Sequence, residues 1–203
     1  MSNARMLIRN LFESAGIEPP KVSAPATPEF QAWFEGSKIV DSEGKPLPMF
    51  HGTPYSGFEE FRTPAFFTAY PEYAEMYVAP AASALVHDKS RGGDRDVAQG
   101  VYITFIRSLN PLDTRLPEHL EMYMEEFYGQ WGNRTPIGSK LGLPDWTDAD
   151  DLVEFFEETG KDYDGVWLAD AHGYEALMIF RPEQIKAFTT VAPTDSPSIR
   201  EGF

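Results

Sequence analysis

The chain has 203 residues, 42% of them hydrophobic and 14% aromatic, which is enough to fill a sizeable core in one domain. The absence of cysteine excludes disulfide frameworks, thiolate zinc sites and cysteine nucleophiles together. A net charge of -15 opposes non-specific attraction to nucleic-acid phosphates or anionic lipid, and no window carries the long uncharged apolar run of a membrane span.

Met6, Leu7, Leu11 and Phe12 recur at helical spacing, so Ala4 to Ala15 reads as a short amphipathic helix. A proline-rich stretch follows, and residues 1–28 together read as an arm and linker. Arg5, Arg9 and Glu13 interrupt the apolar positions there, so no secretory signal is read, in keeping with a cytoplasmic protein. Thr27-Pro28-Glu29 has the chemistry of a helix start, with a capping hydroxyl and proline at the first helical position. It predicts a helix that turns Phe30, Trp33 and Phe34 to the core.

Asp41 to Pro46 is a turn between two apolar runs and predicts a hairpin whose second strand delivers His51. After a loop at Pro54 to Gly57, Phe58 and Phe61 read as core anchors, Ala65 to Thr68 as a short strand and Pro71 to Ala79 as a helix. On that helix Tyr73, Ala74 and Tyr77 share one face. Asp88 to Asp96 is polar and glycine-containing and reads as a loop. V-Y-I-T-F-I, from Val101, is a β-rich run that Asn110-Pro111 should end.

Between Pro111 and Asp162 there are thirteen Asp or Glu against four Lys or Arg, a net -9, so most of the excess charge sits in one block. Within it, Glu118 to Tyr128 and Asp148 to Thr159 alternate apolar and acidic residues at helical period, with Thr147 or Asp148 placed to cap the second helix. The end of the chain returns to β character. Asp164 to Ala169 and Glu175 to Phe180 predict strands about a turn at Asp170 to Gly173, Glu183 to Phe188 gives a last short element, and 191–203 is a polar tail. Strands dominate the core positions and few βαβ units are visible, so the class is α+β. The domain spans 29–190, with the acidic helical region at about 111–162 as an insertion.

Taken singly, the polar and aromatic candidates are ordinary. A histidine that ends a strand before Gly-Thr is as a rule a turn feature, paired phenylalanines are core, and a glutamate opening a strand is an edge charge. His87 and His119 have no partner pattern and H-E-x-x-H is absent, so no metal site is expected. The acidic residues of 148–158 lack EF-hand spacing and read as a solvated helix face. No P-loop, G-x-G-x-x-G or serine-hydrolase signature occurs.

Their order changes the reading. W-F-E-G-S-K-I-V-D-S-E-G-K-P-L-P-M-F-H-G-T, then F-F-T with A-E-M-Y downstream, then D-G-V and a Glu-led strand ending I-F-R-P-E-Q-I-K, resembles the ADP-ribosyltransferase superfamily. The likeness is to its His-Tyr-Glu class and to the compact domains found in phage and mobile-element polyvalent proteins. It covers roughly Phe30 to Phe188, with the acidic block its least matched part.

The resemblance implies two small, mostly antiparallel sheets packed around a cleft for NAD, with flanking helices. It implies that His51 bonds the adenosine-side ribose, that Gly52 backbone groups hold the nicotinamide amide and that Thr53 adds a ribose contact. Phe66 stands where relatives carry the motif tyrosine, with Phe67 and Thr68 completing that segment. Tyr77 closes over the nicotinamide, and Glu175 is the catalytic carboxylate.

The physical chemistry of NAD fits those residue types. Nicotinamide leaves from a flat cation that aromatic faces attract by about 0.5–2 kcal/mol. A fixed carboxylate stabilises the developing ribosyl cation, as carboxylates do in glycoside hydrolysis.

Phe66 keeps the stacking surface of a tyrosine without its hydroxyl. Gly173 replaces the Glu or Gln that arginine-modifying relatives carry two residues before the glutamate, which disfavours arginine as acceptor. The implied activity is transfer of ADP-ribose from NAD to a host protein or nucleic acid. The alternatives are an NAD glycohydrolase of the same fold, or a nonenzymatic virion or interaction module that uses the acidic helical region.

Overall fold

The computed structural model describes residues 22–53, 58, 60–78, 100–128, 149–169 and 174–191. Helix α1, Pro28–Phe34, starts as its sequence requires: the Thr27 hydroxyl accepts from the Phe30 N–H at 3.2 Å, and proline occupies the first turn. Phe30 and Phe34 are buried against Phe105, while Trp33 is half-buried and donates its indole N–H to the Glu183 carbonyl at 3.2 Å.

The hairpin expected at 37–50 is reduced to one bridge, Val40 to Pro46, around a turn in which Asp41 Oδ1 accepts from the N–H groups of Glu43 and Lys45. Pro46 and Pro48 have no N–H to give a ladder, so paired strands do not extend from it.

Strand β1, Met49–Thr53, pairs antiparallel with β3, Gly100–Ile106, which pairs antiparallel with β7, Ile185–Val191. The expected last element is thus preceded by a 3-10 turn at Pro182–Gln184 and is a full strand at the sheet edge. All of β3 is buried, because it is the central strand of the sheet.

The second sheet has the order β2-β6-β5-β4, with β2 Ala65–Phe67, β4 Pro111–Asp113, β5 Gly165–Ala169 and β6 Glu175–Ile179. Asn110-Pro111 therefore does not close a strand. Proline starts β4, an edge strand parallel to β5, where a missing N–H is tolerated. The α+β class, with two small and mostly antiparallel sheets, stands.

Between the sheets lies a core of Met49, Tyr102 and Ile106 against Phe67, Trp167, Leu177 and Ile179. The outer face of the second sheet, carrying Leu112, Val166, Leu168 and Met178, is covered by Tyr123, Phe127, Leu152, Phe155 and Phe156. Those five come from the acidic block. Its first helix, α3 at Pro117–Met122, loosens into a π-helical turn at Tyr123–Tyr128, and its second is α4, Ala149–Thr159. Glu154, Glu157 and Glu158 face out from α4 while Leu152, Phe155 and Phe156 face in, which is the amphipathic pattern the period predicts.

Helix α2, Pro71–Met76, ends earlier than expected, with Tyr77 as its C-cap. The expected N-terminal helix, the loops at 54–57 and 88–96, the capping residues Thr147 and Asp148, the 170–173 turn with His172, His87 and the 193–203 tail lie outside the described residues.

Candidate active site

Among the described residues the two sheets are stitched together at a single backbone rung. The Phe50 N–H donates to the Thr68 carbonyl at 2.7 Å and the Thr68 N–H returns to Phe50 at 2.9 Å. Main-chain groups in an antiparallel ladder face alternate sides, so the next bonded pair would be Gly52 with Phe66. No backbone bond joins those two residues. The Phe66 carbonyl accepts instead from the His51 ring, Nδ1 at 2.8 Å. Gly52 is two residues from Phe50, so its N–H and C=O point away from β3 into the gap. A cavity of about 180 Å³ opens there, with Phe50, His51, Gly52, Phe66, Phe67 and Thr68 in its walls.

Helix α2 roofs the cavity with Tyr73, Ala74 and Tyr77, and Leu168 and Ala176 close its far side. A Cβ on residue 52 would overlap the Ala74 carbonyl, so only glycine lets the helix rest on β1 at this height. The Tyr73 and Tyr77 hydroxyls share a hydrogen bond of 2.8 Å. Tyr73 stacks on Tyr174 at 4.6 Å and 8°, and Tyr70 meets Tyr174 edge-on. Tyr77 is 49% exposed and stands at the mouth, where burial of its hydroxyl raises its pKa. The Tyr70 phenol is pushed up to about 12 by burial and by the nearby Glu175 carboxylate.

The Phe66 carbonyl can only accept, so His51 Nδ1 must carry the proton and Nε2 is left as an acceptor. Burial lowers the pKa below the ordinary 6.5, against a partial pull from the Phe66 bond. The ring is therefore neutral at neutral pH, held edge-on to Phe61 at 5.2 Å and beside Phe67 at 5.5 Å. It offers the cavity a lone pair rather than a charge.

Glu175 opens β6 next to the cavity. Its backbone carbonyl accepts from the Thr68 hydroxyl at 2.9 Å, and its neighbour Ala176 lines the wall. Strand alternation turns the Glu175 side chain to the opposite face from Ala176, where Arg115 Nη1 donates to Oε2 at 2.9 Å. Asp113 holds the other edge of that guanidinium through Nε at 2.6 Å and Nη2 at 2.7 Å. Burial works against the charge on Arg115, but the bonds to Asp113 and the Glu175 carboxylate outweigh it and raise its pKa.

Of the residues expected from sequence, His51, Gly52, Phe66, Phe67, Thr68 and Tyr77 meet around one cavity. Glu175 stands one residue outside its lining, and Thr53 is buried at the end of β1 opposite Gly100. Tyr73, Tyr174, Asp113 and Arg115 were not singled out by sequence. Tyr73 was legible only as sharing a helix face with Tyr77, while Arg115 was hidden inside a block read for its acidity and helical period. His119 accepts from the Asp113 N–H at 2.9 Å through Nδ1, a structural role at the end of β4. Among the described residues there is no group of three or more His, Cys, Asp or Glu that could hold a metal, and no helix long and apolar enough to cross a membrane.

Two small sheets joined by one rung, with an aromatic-lined cavity at the omitted rung and Glu175 next in sequence to a lining residue, define an α+β domain with a cleft between its sheets. The family described as ADP-Ribosyltransferase in polyvalent proteins matches residues 41–194, most of the chain, and the chain belongs to that family. No curated protein sequence matches it.

Proposed function

We propose that the protein is an NAD-dependent ADP-ribosyltransferase that moves ADP-ribose from NAD to a host macromolecule, protein or nucleic acid, in the setting of a phage or mobile element. The omitted rung carries this reading. An edge N–H and C=O on Gly52, beneath tyrosines and beside a neutral histidine, suit the carboxamide and flat ring of nicotinamide.

In that pose Phe66 and Tyr77 supply aromatic faces and His51 Nε2 accepts from a ribose hydroxyl, with Thr53 and Thr68 flanking the ribose side. Glu175 stabilises the ribosyl cation as the glycosidic bond breaks. The bonding pair leaves with nicotinamide, the acceptor nucleophile bonds the anomeric carbon, and its proton passes to Glu175 or to solvent.

The test is incubation with NAD labelled in its adenylate portion. Nicotinamide release with label on a macromolecule is the expected result, and Glu175→Gln lowers the rate by about 10²–10³ while NAD still binds. Free ADP-ribose without labelled acceptor would make the protein a glycohydrolase. No NAD binding, with salt-sensitive capture of a basic partner by the acidic helices, would make it an interaction module.

A further inference from the structure

We propose that Arg115 is the positioning residue for the Glu175 carboxylate, an inference that rests on the catalytic role given to Glu175 above. Three neighbouring strands set the geometry. Asp113 on β4 is opposite Trp167 on β5, and Ala169, two residues further along β5, is opposite Glu175 on β6. Alternation puts Asp113, Trp167 and Glu175 on one face. The Arg115 guanidinium lies over Trp167 at 3.9 Å and spans the strand between the two acids.

One edge and one face of the guanidinium are fixed away from Glu175. Nε and Nη2 fork onto the two Asp113 oxygens, and the Arg115 N–H also donates to Asp113 Oδ1 at 3.1 Å. Trp167 takes one planar face, and Nη1 is left to hold Glu175 Oε2 at 2.9 Å. Among the described residues Oε1 has no bond, so one carboxylate oxygen is pinned and the other is available for a ribose hydroxyl or the ribosyl cation.

A stabilising role explains this poorly. The Arg115 and Glu175 side chains are 31% and 26% exposed, and ion pairs that water reaches add little to folding. Such a clamp is better accounted for by accuracy of placement, since small displacements of a reacting group cost about a hundredfold in rate. A diphosphate-binding role is also disfavoured, because three of the five guanidinium N–H groups and most of its charge are already directed at two carboxylates.

Initial rates of NAD cleavage test this in wild type, Arg115→Gln, Arg115→Lys, Asp113→Asn, Glu175→Gln and the Arg115→Gln/Glu175→Gln double variant. Arg115→Gln is expected to lower kcat about 10- to 100-fold with KM for NAD within about twofold. Arg115→Lys recovers part of the loss, because an ammonium can reach Oε2 but cannot fork onto Asp113. Asp113→Asn, which keeps the guanidinium and loosens it, gives a smaller fall in kcat.

In the Glu175→Gln background, Arg115→Gln adds no further loss, since the carboxylate it orients is gone. An unchanged kcat in Arg115→Gln overturns the proposal, whether or not KM rises. Equal losses with and without Glu175 overturn it too. A wild-type protein that does not cleave NAD overturns the functional reading itself, and the proposal with it.

Discussion

Helix α2 rests on the main chain of β1 so closely that the Ala74 carbonyl occupies the space a side chain on Gly52 would need. This contact sets the height of the cavity roof. Gly52→Ala must push the helix off the strand or bend the strand away from it. The expected cost is about 1–3 kcal/mol or more in urea unfolding, with weakened NAD binding in the protein that remains folded. An unchanged unfolding midpoint would show that the helix floats freely over β1.

Burial keeps His51 neutral by holding its pKa below 6.5. As pH falls, the unfolded chain takes up this proton before the folded one does, so the group costs stability on the acid side of 6.5 and contributes no slope well above it. An NMR titration of the ring is expected to show a midpoint below 6.5, and NAD affinity to weaken only on that acid side. A midpoint above 6.5 would mean that the ring is charged in the fold and would remove its role as an acceptor.

Tyr77 stands half exposed at the mouth with its hydroxyl on Tyr73. Tyr77→Ala removes a ring face for a cationic ring and is expected to weaken NAD binding about 2- to 30-fold by calorimetry. Tyr77→Phe keeps that face and loses only the part-buried hydrogen bond to Tyr73, so its binding stays near wild type.

Asp164 ties the β3–β4 connection to β5. Its buried carboxylate accepts from the Ser108 hydroxyl at 2.5 Å and from the Leu109 and Asn110 N–H groups at 2.6 and 3.1 Å. Asp164→Ala leaves these donors without an acceptor and is expected to cost on the order of 3 kcal/mol in urea unfolding. Asp164→Asn retains one accepting oxygen and should fall between the two.

Local chemistry was legible wherever it is decided locally. Thr27-Pro28 marked the start of α1, the β-rich run at 101–106 marked a strand that the fold makes central, and the helical-period alternation of α4 separated its acidic and aromatic faces. His51, Gly52, Phe66 and Tyr77 were found by their order along the chain, and the fold brings them together.

What could not be read depends on pairing across sequence distance. Pro111–Asp113 gives no period of its own, and only β5 alongside makes it a strand. Arg115 matters because β4, β5 and β6 are neighbours, a fact held by residues about sixty positions apart. Gly52 was legible as a turn or ligand glycine, whereas the helix pressed against it was not.

The omitted rung between Gly52 and Phe66 also bears on how such a domain can decay. Recognition by main-chain N–H and C=O groups has no side chain for mutation to remove, whereas bond cleavage on the proposed reading depends on Glu175 and the arginine that aims it. On that reading, drift at those two positions would leave a domain that binds NAD and no longer cuts it. Copies that have lost the carboxylate are therefore candidates for NAD sensors or sequestering decoys, and a survey that scores only the glutamate would discard them as inert.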